Sequence, residues 1–243
     1  MSKQEFILIL ETSSRIGSVA LAIGPRLLAQ TTFTAPMRHS AEIFDAISEL
    51  MRRFERKPDQ IEQIYLSIGP GSFTGLRIAA TIAKAMHLAN PVKIVALDTL
   101  DVITQNAPFQ AGTKKIQRIA PILDAKRNQF YIAAYQKPLP PNSKAKSWQR
   151  LIPDSLMTAT EFLDVFADQA DPIALLGDGL LYHKEKFQSS GVRILDEKYW
   201  SPQAARVHAL GYKMALAGIF ADPLELTPTY IRRPEAEEKW QKR

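Results

Sequence analysis

Apolar positions in the N-terminal third follow two different spacings, and each change of spacing marks a new element. Phe6-Ile-Leu-Ile-Leu10 is a continuous apolar run closed by Glu11, which predicts a short strand buried on both faces. Ser18–Gly24 and Leu27–Phe33 read as two further strands, joined by the turn signal Gly24-Pro25. The period then lengthens. Ile43, Ile47, Leu50 and Phe54 recur at helical spacing, which predicts a helix capped by Ser40 and ended by Pro58-Asp59. Ile61–Ile68 is a strand broken by Gly69-Pro70-Gly71, Thr74–Ala89 is helical and stops at Asn90-Pro91, Lys93–Leu97 is a strand, and Thr99–Asn106 is a short helix. The order is βββαβαβα.

The remainder repeats it. Gln117–Leu123 and Gln129–Tyr135 are strands on either side of Asp124-Ala-Lys-Arg-Asn128, and Trp148–Ile152 is a third after a Pro-rich loop at 137–144. Thr158-Ala-Thr-Glu161 is a capping box opening a helix with Phe162, Val165 and Phe166. Ile173–Leu176 is a strand ending in Gly177-Asp178-Gly179, and a helix, a strand at Val192–Leu195 and a long helix follow. Ser201-Pro202 is read as the start of that last helix, which runs to about Phe220. Two local matches favour a duplication: each half has a strand, an acid (Glu11, Asp124), a turn and a second strand, and each has a strand followed by Gly-x-Gly. The expectation is an α/β protein of two duplicated βββαβαβα lobes, residues 1–107 and 108–243. The last helix and an extended Thr229–Arg233 segment are expected to return toward the first lobe.

Composition narrows the classes. The 243 residues are 46% apolar, and folding a chain of this size buries about 70% of its surface, so a disordered chain is excluded. With no cysteine there is no disulfide, thiolate metal site or cysteine nucleophile. The longest apolar runs fall far short of the ~20 residues of a bilayer span, and the N-terminal run has acidic flanks unlike a signal peptide, so a cytoplasmic location is expected. A net charge of +6 permits contact with nucleic acid, but the charges are spread along the chain.

The chemistry-bearing stretches are few. Gly69-Pro-Gly-Ser-Phe-Thr-Gly-Leu-Arg77 is a strand, a glycine turn and a helix start, able to meet an anion or to serve simply as a tight connection; it is neither a Walker loop nor G-x-G-x-x-G. Glu11, Thr12 and Ser13, with Asp124 of the second half and the turns at Gly69, Gly71, Gly177 and Gly179, form a candidate vestigial nucleotide cleft. The four histidines are far apart in sequence and no Gly-x-Ser-x-Gly elbow occurs, so no metal pair and no catalytic residue is assigned. On the helix 74–89, Leu76, Ala79, Ala80, Ala83 and Met86 suit the sheet side. The remaining faces, with Ile47 of the preceding helix and Phe73, Arg77, Ile78, Thr81, Ile82 and Lys84, are expected to bind a partner with an acidic rim.

Seven stretches in this order carry a resemblance: ILILETSS…GSVALAIG, RHSAEIF, LSIGPGSFTGLRIAATIAKAMHLA, VALDTLDVI, PILDAKRNQFYIAAY, LLGDG and PTYIRRP. Together they resemble the TsaB (YeaZ) family of bacterial tRNA-modification proteins. The resemblance implies the actin-like ATPase fold of Hsp70 and sugar kinases. It also implies a non-catalytic subunit that supports a TsaD-type catalytic paralogue and a TsaE-type ATPase in transferring threonylcarbamoyl to N6 of adenosine in tRNA. The paralogue holds its metal with a helical His-x-x-x-His, which this sequence lacks, and Glu11 stands where the family usually has Asp. The expectations are therefore no cofactor, at most weak Mg-ATP binding, a homodimer when alone, and weak or indirect tRNA contact. The alternatives are an independent ATPase or small-molecule kinase and, further off, a glycoprotease-like peptidase.

Overall fold

The elements fall into two five-stranded sheets with the same internal order. The computed structural model describes residues 5–33, 39–107, 116–138, 148–166 and 171–232. In the first sheet Phe6–Glu11 (β1), Gly17–Ile23 (β2), Arg26–Phe33 (β3), Gln63–Gly69 (β4) and Lys93–Asp98 (β5) run in the order β3-β2-β1-β4-β5. In the second, Arg118–Asp124 (β6), Phe130–Gln136 (β7), Gln149–Met157 (β8), Ile173–Leu176 (β9) and Val192–Ile194 (β10) run β8-β7-β6-β9-β10. In each sheet the first three strands form an antiparallel meander and the last two join in parallel beside the inner strand. This is the duplicated α/β architecture of the actin-like fold.

Two units partition the chain: Met1–Val102 with Ser201–Pro228, and Ile103–Trp200 with Thr229–Arg243. In the first unit, β1 is apolar on both sides because helices cover both faces of the sheet. Phe6, Leu8 and Leu10 face His39–Arg53 (α1) and Phe73–Ala89 (α2), in a core with Ile43, Leu50, Ala79 and Ala83. Ile7 and Ile9 face the opposite way, toward Ala204–Leu216 (α5), in a second core with Tyr65, Val95, Leu97 and Val207. The second unit packs around an aromatic cluster, Phe130, Phe162, Phe166 and Phe187, with ring centroids 4.9 to 5.8 Å apart. Thr99–Thr104 (α3) opens on Asp98, whose carboxylate accepts from the Leu100 and Asp101 amides.

Several local expectations are corrected. Helix α1 already includes His39 and Ser40, so Ser40 is not its cap. The helix expected after Gly177-Asp178-Gly179 is a pair of short 3₁₀ turns, Asp178–Leu180 and Lys184–Phe187. Helix α5 starts at Ala204 rather than at Ser201-Pro202, because its first amides are met from the sheet: Ala204 donates to Ser18 Oγ at 2.9 Å and Ala205 to Gln30 Oε1 at 2.7 Å. It ends at Leu216, four residues before Phe220, and Gly218 follows with φ 74°. Beyond it the chain rounds the sheet edge. Ala221 pairs with Ile94 of edge strand β5, and Leu226 is buried in the core on the α1 and α2 side. Thr229–Arg232 is not a strand, and Arg233 lies outside the described residues, as do the Pro-rich loop from Leu139 to Lys144 and the start of the expected second lobe at Pro108. The Thr158–Glu161 capping box is present: Glu161 N donates to Thr158 Oγ1 at 3.2 Å, and Thr158 N to Glu161 Oε2 at 2.7 Å. It opens Ala159–Phe166 (α4).

Candidate functional site

Three regions contain the residues singled out by sequence. The first is the end of β1. Glu11 is fully buried there. Its Oε1 accepts from the Ser13 amide at 2.7 Å and from the Ser13 hydroxyl, and its Oε2 accepts from the Ser67 hydroxyl of β4. A buried carboxylate needs such donors, and here the chain supplies them itself. Ser67 was not anticipated, although a hydroxyl beside the first strand's acid in a parallel neighbour was a readable signal. The next hydroxyl, Ser14 Oγ, is buried and has no hydrogen-bond partner among the described residues.

The glycine turn presses on this hairpin. Ser72 N donates to Ser13 O at 2.7 Å, and Thr12 Oγ1 donates to Gly75 O at 2.7 Å. A Cβ at Gly75 would stand 1.9 Å from the Thr12 carbonyl oxygen, and one at Gly71 would stand 2.3 Å from that of Ser13. Gly71 and Gly75 are therefore packing glycines that let helix α2 start against the β1–β2 turn. Ser72 Oγ caps α2 by accepting from Gly75 N at 3.3 Å.

The second region is the equivalent place in the second unit. Gly177 and Gly179 press on the β6 backbone, where a Cβ would stand 2.2 Å from Ile122 O and 2.9 Å from Asp124 N respectively. Asp124 is only half-buried and turns outward. It accepts from the Lys126 amide at 2.7 Å and from Lys126 Nζ at 2.6 Å. Burial pushes its carboxyl up, but the Lys126 bonds and charge, with His183 nearby, outweigh this and leave it below the ordinary carboxylate value. Glu11 and Asp124 thus each bond within their own unit. Among the described residues no group of three or more acidic or histidine side chains could hold a metal ion, and no helix is long and apolar enough to cross a membrane.

The third region is the outer side of α1 and α2. Phe44, Phe73, Thr74, Arg77, Ile78, Thr81 and Ile82 line an open, largely apolar groove of about 400 Å³. Phe44 is 55% exposed and Phe73 43%, unusual for residues of this size. The Arg77 guanidinium lies 3.7 Å from the Phe73 ring centroid, a cation–π contact that holds both at the rim. Thr81 is exposed, Ile78 half-buried, and Ile82 forms the floor. Ile47 packs inward on the core. Lys84 departs from expectation: its Nζ donates to Leu224 O at 3.3 Å and so ties down the segment after α5. Phe44 was missed, though an aromatic out of phase with the Ile43–Ile47–Leu50 stripe is a readable sign of a second apolar face.

The protein-family model for TsaD, tRNA N6-adenosine threonylcarbamoyltransferase, matches residues 33–179. A Bacillus subtilis protein named tRNA threonylcarbamoyladenosine biosynthesis protein TsaB is 27% identical over 237 residues, covering 96% of this chain and 97% of that one. An Escherichia coli protein of the same name is 28% identical over 131 residues, covering 54% and 55%. Among solved structures, YeaZ from Pseudomonas aeruginosa superposes with a TM-score of 0.75 at 20% identity, covering 93% of this chain and 99% of that one. A Pseudomonas aeruginosa protein described as similar to peptidase YeaZ gives a TM-score of 0.78 at 21% identity, covering 94% and 100%.

Proposed function

The chain belongs to the TsaD (tRNA N6-adenosine threonylcarbamoyltransferase) family, in which it groups with TsaB (YeaZ), and from that premise we propose that it is a non-catalytic accessory subunit for tRNA threonylcarbamoyladenosine synthesis. It docks on a TsaD-type catalytic subunit, works in the cytoplasm alongside a TsaE-type ATPase, and pairs with a second copy of itself when alone. The observation that carries this reading is the exposed apolar groove between α1 and α2. A long helix pair with two half-exposed phenylalanines and an arginine at the rim suits a protein partner, since aromatics and arginine concentrate where interfaces are strongest. The engagement of Glu11 by Ser13 and Ser67 supports an accessory role, because that carboxylate already has its donors.

Thr81→Arg tests it. The position is exposed, so the fold survives, while an unpaired charge in the contact weakens association by about 2–5 kcal/mol, at least thirtyfold. Sedimentation of the chain with and without the catalytic subunit, beside circular dichroism, gives the answer. A folded variant that associates like the parent moves the interface elsewhere.

A second reading, an ATPase or kinase, has one observation in its favour: the buried Ser14 hydroxyl lacks a partner among the described residues, at the hairpin where an actin-like fold would meet phosphate. Under the accessory reading Mg-ATP binds weakly at most. Calorimetry finding micromolar Mg-ATP binding that is lost in Ser14→Ala would reverse the choice.

A further inference from the structure

The edge of the first sheet opposite Glu11 carries a cleft that has no part in the roles above. Strands β1, β4 and β5 run parallel, so their N-terminal ends share that edge. Glu5 stands just before β1, Gln63 opens β4 and Lys93 opens β5. Each lies two residues before a core residue on the α5 side, Ile7, Tyr65 and Val95 respectively, and strand alternation puts all three on that face. Beside the buried Phe6 and Ile61 and the exposed Arg56 and Asp59, they line a cleft of about 740 Å³, a volume within the range of small-molecule sites.

The polar groups of this cleft are uncommitted. Gln63 is only 6% exposed, and its Oε1 accepts from the Tyr65 hydroxyl at 2.6 Å. Burial pushes the Tyr65 pKa up, and the charges of Glu5 and Tyr212 push it further, so that hydroxyl keeps its proton and continues to donate. Gln63 Nε2 is then the amide's donor, and it has no acceptor among the described residues. Glu5, Asp59, Arg56 and Lys93 likewise form no ion pair with any described residue. The Arg56 guanidinium lies 5.5 Å from the Phe6 ring centroid and Lys93 Nζ lies 5.0 Å from that of Phe220. Two charges of each sign thus share one cleft, and the sheet keeps Glu5 from Lys93: β4 runs between β1 and β5, which are two strand spacings, about 10 Å, apart. We propose that this cleft binds a short peptide of about three residues through both of its free termini. The peptide's ammonium donates to Glu5, a central carbonyl accepts from Gln63 Nε2, and its carboxylate accepts from Lys93. Three extended residues span about 10 Å, the distance to be bridged. A polyanion fits less well because Glu5 and Asp59 oppose it, and a polyamine because Arg56 and Lys93 do.

The test titrates trialanine into the ¹⁵N-labelled full chain, followed by heteronuclear NMR, with N-acetyl-trialanine and trialanine amide as capped probes. Trialanine should bind with a Kd on the order of 1 mM and move the Gln63 side-chain amide signals. Each cap should weaken binding about tenfold. Glu5→Gln should bind trialanine about tenfold more weakly but lose nothing further with the acetylated probe, and Lys93→Gln should behave in the same way toward the amide, because cap and substitution remove the same pair. Glu5 is half-buried and Lys93 exposed, so both variants fold. Losses that simply add, equal binding of capped and free peptide, or no saturable shift up to about 20 mM would each overturn the site. Tighter binding of spermidine or of pyrophosphate, read on the same signals, would reassign the cleft to a polycation or a polyanion, also against the proposal. So would a chain lacking Ser2–Gln4 that binds trialanine more than about tenfold tighter than the parent, since the cleft would then serve the chain's own terminus. None of these readouts involves the catalytic subunit, so the peptide site and the accessory role stand or fall separately.

Discussion

The β1–β2 hairpin of the first unit and the β6–β7 hairpin of the second occupy the same place in the same strand order, and each ends its inner strand in an acid. In the first unit the acid turns inward: Glu11 is fully buried and held by Ser13 and Ser67. In the second it turns outward, and Asp124 pairs with the exposed Lys126. The helical elements diverge in parallel. The first unit carries α1 and α2, of 15 and 17 residues, with an apolar groove between them. Among its described residues the second has the 8-residue α4 and three short 3₁₀ turns, two of which, Lys184–Phe187 and Glu197–Tyr199, bear exposed lysines. Duplication supplies two copies of a scaffold, and side chains at equivalent positions then direct one toward apolar contact and the other toward charge.

The largest expected effect separates the two acids. Glu11→Ala leaves the Ser13 and Ser67 donors buried without their acceptor, a loss of about 3 kcal/mol. Asp124→Ala removes the partner of a lysine that is already exposed to water and costs less than about 1 kcal/mol. Urea denaturation of both variants checks this, and equal losses would break the distinction between an inward and an outward hairpin. The glycines come next. Gly75→Ala drives a methyl into the Thr12 carbonyl, which cannot swing aside, for about 2–3 kcal/mol. Gly179→Ala meets three backbone atoms at 2.9 Å, a smaller overlap that still forces the backbone to shift, for about 1–2 kcal/mol. Thermal melts should rank them in that order, and a reversed rank would place the tighter strand-to-turn contact in the second unit.

Local periodicity made most of the strands and the two long helices legible. Phe6–Leu10 read as a buried strand because burial on both faces removes alternation, and α2 read as a helix because its alanines sit on the sheet side. What sequence could not show was tertiary. Helix α5 takes its first hydrogen bonds from Ser18 and Gln30, nearly two hundred residues earlier, so no local cap marks where it starts. Its end was readable, since Gly218 sits where a helix commonly stops. The stretch after Gly179 has enough leucine and aromatic residues for a helix, but it winds instead as 3₁₀ turns that seat Phe187 against Phe130. At the candidate sites the acids and glycines were legible and their employment was not. Glu11 meets a hydroxyl 56 residues away in Ser67, and Lys84 is drawn from the outer face by a carbonyl 140 residues further on.

The smallest expected effect concerns pH and sharpens the contrast at the second acid. Asp124 has its pKa lowered in the folded chain, chiefly through Lys126 against the opposing push of burial. A carboxylate depressed by folding stabilises the protein at pH values above its unfolded pKa, here the ordinary value of 3.8, and that stabilisation disappears as pH falls through the lower folded value. The pair is close to the surface, so its worth is about 0.5 kcal/mol, or about 1–2 °C in melting temperature for a chain of this size. Lys126→Ala should therefore melt about 1–2 °C below the parent at pH 6, and the gap should close as pH falls through the lowered folded value of Asp124 and the carboxyl is protonated in both proteins. Glu161 is also lowered, by its bonds to Thr158, but it is unchanged between the two proteins and cancels from the difference. A gap that persists unchanged to the acid limit would mean that Lys126 stabilises the left-handed turn through its backbone or packing rather than through Asp124, and the outward acid would then have no electrostatic part in holding the hairpin.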